Sequence, residues 1–214
     1  MHSLPDDRTA RARIRDEALR LFGSHGPDAV TVRDIAAAAG VSPALIVRHY
    51  GSKDGLRDAV DDHVARVFEV MLTQVSGPSG GGGPFDPAGV SSLAEVVAEH
   101  LPADSAVPAY LGRMLLAGGA GGSALFRRLY VLSRQTLAAL SQAGLADEGA
   151  DPQVRAAFLL VNDLAVLILR TRLADVLGVD PLSAAGMRRW GAEVLSIYGA
   201  GLRATPPGQE RPVR

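Results

Sequence analysis

The sequence predicts an all-α fold: a small N-terminal three-helix domain followed by a larger helical body. Three observations predict it. Apolar residues recur at helical spacing through almost every patterned segment, and no run alternates as a strand does. Helix-start signals (Thr31 with Asp34, Ser42 before Pro43, Ser52) stand at short intervals near the N-terminus. Glycine clusters at 80–83 and 118–122 and proline-containing turns separate longer apolar stretches downstream.

The first helix is expected from about Thr9 to His25, with Ile14, Ala18, Leu21 and Phe22 on one face and arginines on the other; Gly26-Pro27-Asp28 ends it. Thr31 and Asp34 form a capping-box pattern that opens the second helix, which runs to Gly40. Ser42 as cap and Pro43 at the first helical position open a third, Pro43 to His49. Ser52 caps a long fourth helix striped with Leu56, Val60, Val64, Val67, Met71 and Val75. Residues 76–89, with four consecutive glycines between prolines, read as a flexible loop. Further helices are expected at about 91–101, 106–117, 123–143, 152–176 and 182–203, and residues 204–214 as a frayed tail. The expected domains are therefore 1–57 and 58–203.

Composition bounds the function. The chain has 214 residues, 47% hydrophobic and 21% charged, as in globular proteins. It has no cysteine, which excludes disulfides, thiolate metal sites and cysteine nucleophiles. The charged N-terminus reads as no secretory leader, and the longest apolar stretch, Ala156 to Leu169, is interrupted by Asn162 and Asp163 and falls short of a membrane span. A cytoplasmic protein with no membrane association is expected. The net charge of −1 divides into +2 over residues 1–57 and −3 over the rest, a mild asymmetry whose positive end coincides with the strongest motif.

That motif spans Val32 to His49. Ala36 is small where two helices would cross, Gly40 follows four residues later where a turn needs positive φ, and Ile46 would plug the core between them. The pattern fits a helix-turn-helix whose third helix enters a major groove, and it also fits a plain helical hairpin.

The stretch TVRDIAAAAGVSPALIVRHYGSKDGLRDAV resembles the signature of the TetR family of transcriptional regulators, in a form similar to actinobacterial members. Thr31, Ile35, Ala36, Ala39, Gly40, Val41, Ser42, His49, Ser52, Lys53 and Leu56 match, with Ile46 and Tyr50 as conservative replacements. The resemblance covers residues 9–60 and implies a ligand-responsive repressor that binds a palindromic double-stranded DNA operator as a homodimer. One departure is Val47, where the family usually carries a tyrosine that reaches phosphate.

On this reading the candidate DNA-binding residues are Thr31, Arg33, Ser42, Pro43, Ala44, Leu45, Val47, Arg48, His49, Ser52 and Lys53. Arg48 would donate to guanine or phosphate, apolar groups would touch thymine methyls, and Lys53 with the helix N-termini at Thr31 and Ser52 would hold phosphates. Arg8, Arg11 and Arg13 would form a basic arm for the minor groove.

The resemblance further implies a C-terminal body that binds a small-molecule effector and dimerises through its last two helices. Residues 152–176 are apolar on nearly every side, which supports such a bundle, with Leu164 and Ile197 at the interface. The candidate ligand-binding residues are His100, Tyr110, Met114, Phe126, Tyr130 and Asn162, polar or aromatic groups on otherwise apolar faces. The long fourth helix would be the lever between pocket and DNA.

No cofactor and no enzymatic activity are expected. Gly119 to Ala124 fits a degenerate dinucleotide fingerprint, but no strand precedes it and no acidic residue follows at the required distance. The five histidines have no metal-ligand spacing. The alternative is a helical scaffold or small-molecule-binding protein without a DNA function.

Overall fold

The computed structural model describes the backbone at 4–76, 95–102 and 104–202, and side chains at 9–74, 95–102 and 104–194. The expected flexible loop at 76–89 and the tail at 204–214 lie almost wholly outside the described residues. The helices are α1 (Leu4–His25), α2 (Val32–Ala39), α3 (Pro43–Tyr50), α4 (Lys53–Ser76), α5 (95–100), α6 (Val107–Leu116), α7 (Ala120–Gln142), α8 (Pro152–Ile168), α9 (Arg170–Leu177) and α10 (Ala184–Leu202). Among the described residues there is no strand. No single described helix is long and apolar enough to cross a membrane.

The chain forms two compact units. The first combines residues 1–68 with 104–128 and is larger than the expected 1–57. Its core is built from Ile14, Ala18, Phe22, Ile35, Ile46, Leu56, Val60 and Val64, with Tyr110 and Leu111 contributed by α6. α6 docks closely on α1: a Cβ added to Gly23 would lie 3.1 Å from the Tyr110 backbone nitrogen. Arg113 fixes the same junction, donating to the carbonyls of Gly23 at 3.0 Å and Ser24 at 2.9 Å. Those carbonyls lie in the last turn of α1 and have no partner within the helix, so α6 supplies the cap that α1 lacks.

The second unit comprises residues 69–103 and 129–214. In it, Leu137 and Leu140 of α7 pack with Ala146 and Ala156, flanked by Tyr130 and Leu159. Asp151 caps α8 by accepting from the amides of Gln153 and Val154, with Pro152 at the first turn. The single helix expected at 152–176 is broken: α8 and α9 meet at Leu169 with a 74° bend. No proline or glycine marks the break. Arg170, the first residue of α9, instead donates two hydrogen bonds to Asp180 at 2.9 and 2.6 Å, which ties α9 to the turn before α10. That partnership holds the Asp180 carboxyl below the usual carboxylate range. The stretch Gly119 to Ala124 is the end of the α6–α7 turn and the first turn of α7, entered through Gly118 and Gly119, both with positive φ.

Candidate nucleic-acid interface

The reading head is set by local chemistry. Thr31 and Asp34 close a reciprocal capping box: the Thr31 amide and hydroxyl donate to the Asp34 carboxylate at 2.8 and 2.7 Å, and the Asp34 amide donates to the Thr31 hydroxyl oxygen. The Thr31 amide bond, above all, holds the Asp34 carboxyl below its ordinary range. The expectation at Thr31 is a phosphate held by the helix start through backbone N–H groups, and the Thr31 amide itself is engaged by Asp34. The Thr31 O–H is also spent on Asp34, and the carboxylate at that helix start opposes an incoming anion.

Gly40 ends α2 with φ 63°, the left-handed conformation that the turn requires, and the chain re-enters α3 at Ser42. Ser42 accepts from the Leu45 amide and Ser52 from the Gly55 amide. Both act as acceptors in the cap, so their hydroxyl protons stay available to a phosphate oxygen. Gly55 escaped the sequence reading. A Cβ there would collide with the Tyr50 carbonyl oxygen, so the α3–α4 turn closes only with glycine at this position. A lone glycine in a helix start carries no signal of that crowding.

α3 buries Ile46 completely. This leaves Ala44, Val47 and Arg48 exposed on the sides turned away from it and Pro43 exposed in the first turn, with Leu45 and His49 partly buried. Val47 is 51% exposed, an unusual position for a branched apolar side chain on a water-facing helix. Neither Arg48 nor Arg33, which is exposed on α2, makes an ion pair among the described residues. His49 lies edge-on to Tyr50. Tyr50 in turn donates to the Arg11 carbonyl at 2.7 Å and carries the Arg11 guanidinium over its ring, 5.3 Å from the centroid.

One further expectation changes here and another narrows. α1 begins at Leu4, so Arg8, Arg11 and Arg13 belong to a helix and not to an extended arm, and Arg11 is occupied by Tyr50. Lys53 donates to the carbonyls of Pro27 at 3.0 Å and Val30 at 3.3 Å. Two of its three N–H groups therefore hold the α1–α2 turn, which leaves one N–H for a phosphate oxygen.

The six candidate ligand residues divide between the units, three in each. In the first, Tyr110 is fully buried and its hydroxyl donates to Asp61 of α4 at 2.7 Å. It is a strut between α6 and α4, which corrects its assignment to a pocket. Burial raises both groups, and the hydrogen bond moderates the rise at Asp61. Met114 is buried, and Phe126 is 37% exposed. In the second unit, His100 pairs with Gln74 at 3.0 Å, Tyr130 donates to the Gln153 carbonyl at 3.3 Å, and Asn162 is half-buried on α8. The neighbour that sequence reading noticed but did not nominate is Asp163, whose carboxyl is pushed up to about 6 by burial, offset in part by a hydrogen bond with Asn162.

Residues 14–60 match the bacterial regulatory proteins of the tetR family, and residues 103–204 match the tetracyclin repressor-like C-terminal domain. The HTH-type transcriptional regulatory protein RaaS of Mycobacterium tuberculosis is 37% identical over 156 residues, 73% of this chain and 68% of that protein. The chain belongs to the TetR family. It is a DNA-binding transcriptional regulator, and its form is shared with mycobacterial members. The HTH-type transcriptional repressor Rv3405c of the same organism is 47% identical over 61 residues, 28% of this chain and 32% of its own. The fold agrees with the repressor of the Stenotrophomonas maltophilia multidrug efflux pump SmeDEF (TM-score 0.60, 23% identity, 98% of this chain and 100% of that one). It also agrees with that repressor, SmeT, in complex with triclosan (TM-score 0.62, 22% identity, 96% and 99%).

Proposed function

We propose that this regulator is a repressor that binds a palindromic operator as a homodimer in the cytoplasm and is released by a small apolar or amphipathic molecule. The observation that carries the DNA reading is α3: its buried Ile46 fixes the helix and leaves Pro43, Ala44, Val47 and Arg48 exposed. Arg48 is positioned to read guanine, and Val47 and Ala44 to meet thymine methyls. Ser42 and Ser52 supply hydroxyl donors to phosphates, Arg33 adds a cation from α2, and Leu45 and His49 flank the reading face.

The homodimer reading rests on α8. Val154, Phe158, Val161 and Leu169 recur along one side of the α8 segment and are 63, 52, 54 and 49% exposed. Such a stripe at helical spacing suits a self-complementary helix bundle. Leu164, expected at the interface, is instead buried within its own chain, and Ile197 lies outside the described side chains. Release by an effector is supported by the family and by the triclosan complex of the related repressor. α4 contributes residues to both units and is the continuous element through which they would communicate.

The test is selection of bound sequences from a random DNA pool. An inverted repeat with half-site centres about 34–36 Å apart, bound with steep salt dependence, is the expected outcome. Recovery of no consensus, or a salt-independent shift, would refute the DNA reading.

A further inference from the structure

The last residue of α3 is tied to α1 twice. The Tyr50 hydroxyl donates to the Arg11 carbonyl at 2.7 Å, and the Arg11 guanidinium lies over the Tyr50 ring, 5.3 Å from its centroid. At about 100° per residue, Tyr50 stands about 60° around α3 from exposed Val47 and about 40° from buried Ile46. It therefore sits at the border between the packed and the exposed sides of the helix. Arg11 is itself exposed on α1. A cation from α1 is thus held against the flank of the helix that enters the groove.

A brace between the helices does not account for the guanidinium. The hydroxyl bond already joins α3 to α1, and the ring covers only one face of the guanidinium, so the N–H groups in its plane are left for another acceptor. One turn further along α1, Arg15 spends its Nε and Nη2 on the Asp16 carboxylate, at 2.9 and 2.7 Å. Among the described residues Arg11 has no such carboxylate. A helix with its side chains is about 10–12 Å across and the major groove about 12 Å wide, so groups that flank α3 meet the groove walls, which are phosphates. Val47, the neighbour on that border, has no polar atom to offer them.

We propose that Arg11 grips a backbone phosphate at the wall of the groove that α3 enters, and that Tyr50 is the positioning residue that holds this cation in place. This rests on the reading of α3 as the groove helix and adds a contact from α1. The ring orients the guanidinium before the duplex arrives, so less side-chain freedom is lost on contact, and a phosphate oxygen accepts from the in-plane N–H groups. The hydroxyl fixes the Arg11 backbone to the same helix end, so the cation keeps its distance from α3. The contact carries no base preference and adds affinity on any sequence.

The probes are two duplexes of equal length, one carrying the inverted repeat selected from the random pool and one with that repeat scrambled, titrated with the full-length protein over a range of salt. Arg11→Gln should weaken both duplexes alike, by about tenfold, and make the salt dependence shallower by about one unit per half-site. Arg11→Lys should keep most of the slope. Tyr50→Phe keeps the ring, so on that background Arg11→Gln should still cost about tenfold. Tyr50→Leu and Tyr50→Met remove the ring, and there the same substitution should cost about threefold or less. A scan of single neutral methylphosphonate linkages along the repeat needs no change in the protein: one linkage per half-site should weaken wild type and leave Arg11→Gln unaffected. The assignment is overturned if Arg11→Gln leaves the slope unchanged, or if its loss is confined to the inverted repeat. It is equally overturned if that loss is the same with and without the ring, or if no linkage distinguishes wild type from Arg11→Gln. Wild type that selects no repeat and binds without salt dependence would instead strike the reading of α3, so the two failures are distinguishable.

Discussion

Tyr110→Phe isolates the strut between α6 and α4. The variant keeps the ring that fills the core and removes only the hydroxyl that donates to Asp61 at 2.7 Å. A hydrogen bond to a charged acceptor contributes about 1.5–3 kcal/mol. Asp61 is partly accessible, so water replaces some of the lost donor and the lower end, about 1.5 kcal/mol, applies. For a chain of this size that corresponds to a fall in Tm of about 3–6 °C, read by thermal unfolding at fixed protein concentration. The pH dependence provides a second reading. Burial raises the folded pKa of Asp61 above its ordinary value, so its ionised form costs stability at neutral pH, and the cost disappears as pH falls through the raised folded value. Without the tyrosine donor the carboxyl rises further, so the gap between variant and wild type should narrow from pH 7.5 to pH 5. A double-mutant cycle with Asp61→Ala should show coupling of about 1 kcal/mol or more. A gap that does not change with pH, together with strict additivity in the cycle, would refute the strut.

Four other outcomes are expected. Arg48→Ala should cost about 1–3 kcal/mol on the operator and relax preference at one position; an equal loss on random DNA would make Arg48 a phosphate contact. Phe158→Arg should yield monomers or aggregates in sedimentation, because it places an unpaired charge in an apolar interface; an intact operator-binding dimer would move the interface elsewhere. Lys53→Met should lower Tm by several degrees through loss of two hydrogen bonds, each about 1 kcal/mol; an unchanged Tm with the salt slope of operator binding reduced by about one would make Lys53 a phosphate contact and not a brace. Asp163→Asn should stabilise the fold at pH 7.5. The raised carboxyl, about 6 against an ordinary 3.8, penalises the ionised folded state by about 1 kcal/mol once water access is discounted. The gain should shrink as pH falls through about 6 towards 4, and a variant no more stable than wild type at pH 7.5 would contradict it.

The local rules of helix starts were legible because they depend on residues a few positions apart. Thr31–Asp34, Ser42–Pro43 and the left-handed Gly40 stand in the structure where the sequence placed them. What escaped were partnerships across long separations. Nothing near Lys53 announces that its ammonium reaches back to Pro27 and Val30, and nothing near Tyr110 announces Asp61, 49 residues away. The break at Leu169 was invisible for the same reason: it goes with a pair formed by Arg170 and Asp180 and not with any helix-breaking residue. Tyr110 looked like a pocket residue because a tyrosine on an apolar face has the same pattern whether its hydroxyl meets a ligand or a carboxylate. Asp163 was seen only as an interruption of hydrophobicity, since sequence alone does not tell which side of a wholly apolar helix faces inward.

The cap that Arg113 places on the end of α1 bears on how such regulators are recombined. The unit that holds α1 to α3 is discontinuous in the gene, because it needs the segment 104–128 from beyond the glycine-rich loop. A single crossover near residue 57 would transplant α1 with its last-turn carbonyls stripped of their donor and Gly23 facing a foreign helix. Exchange of DNA specificity between relatives therefore requires two junctions, or a recipient whose α6 already carries an arginine in register. A chimera carrying residues 1–57 alone inherits the reading surface without the brace that holds it.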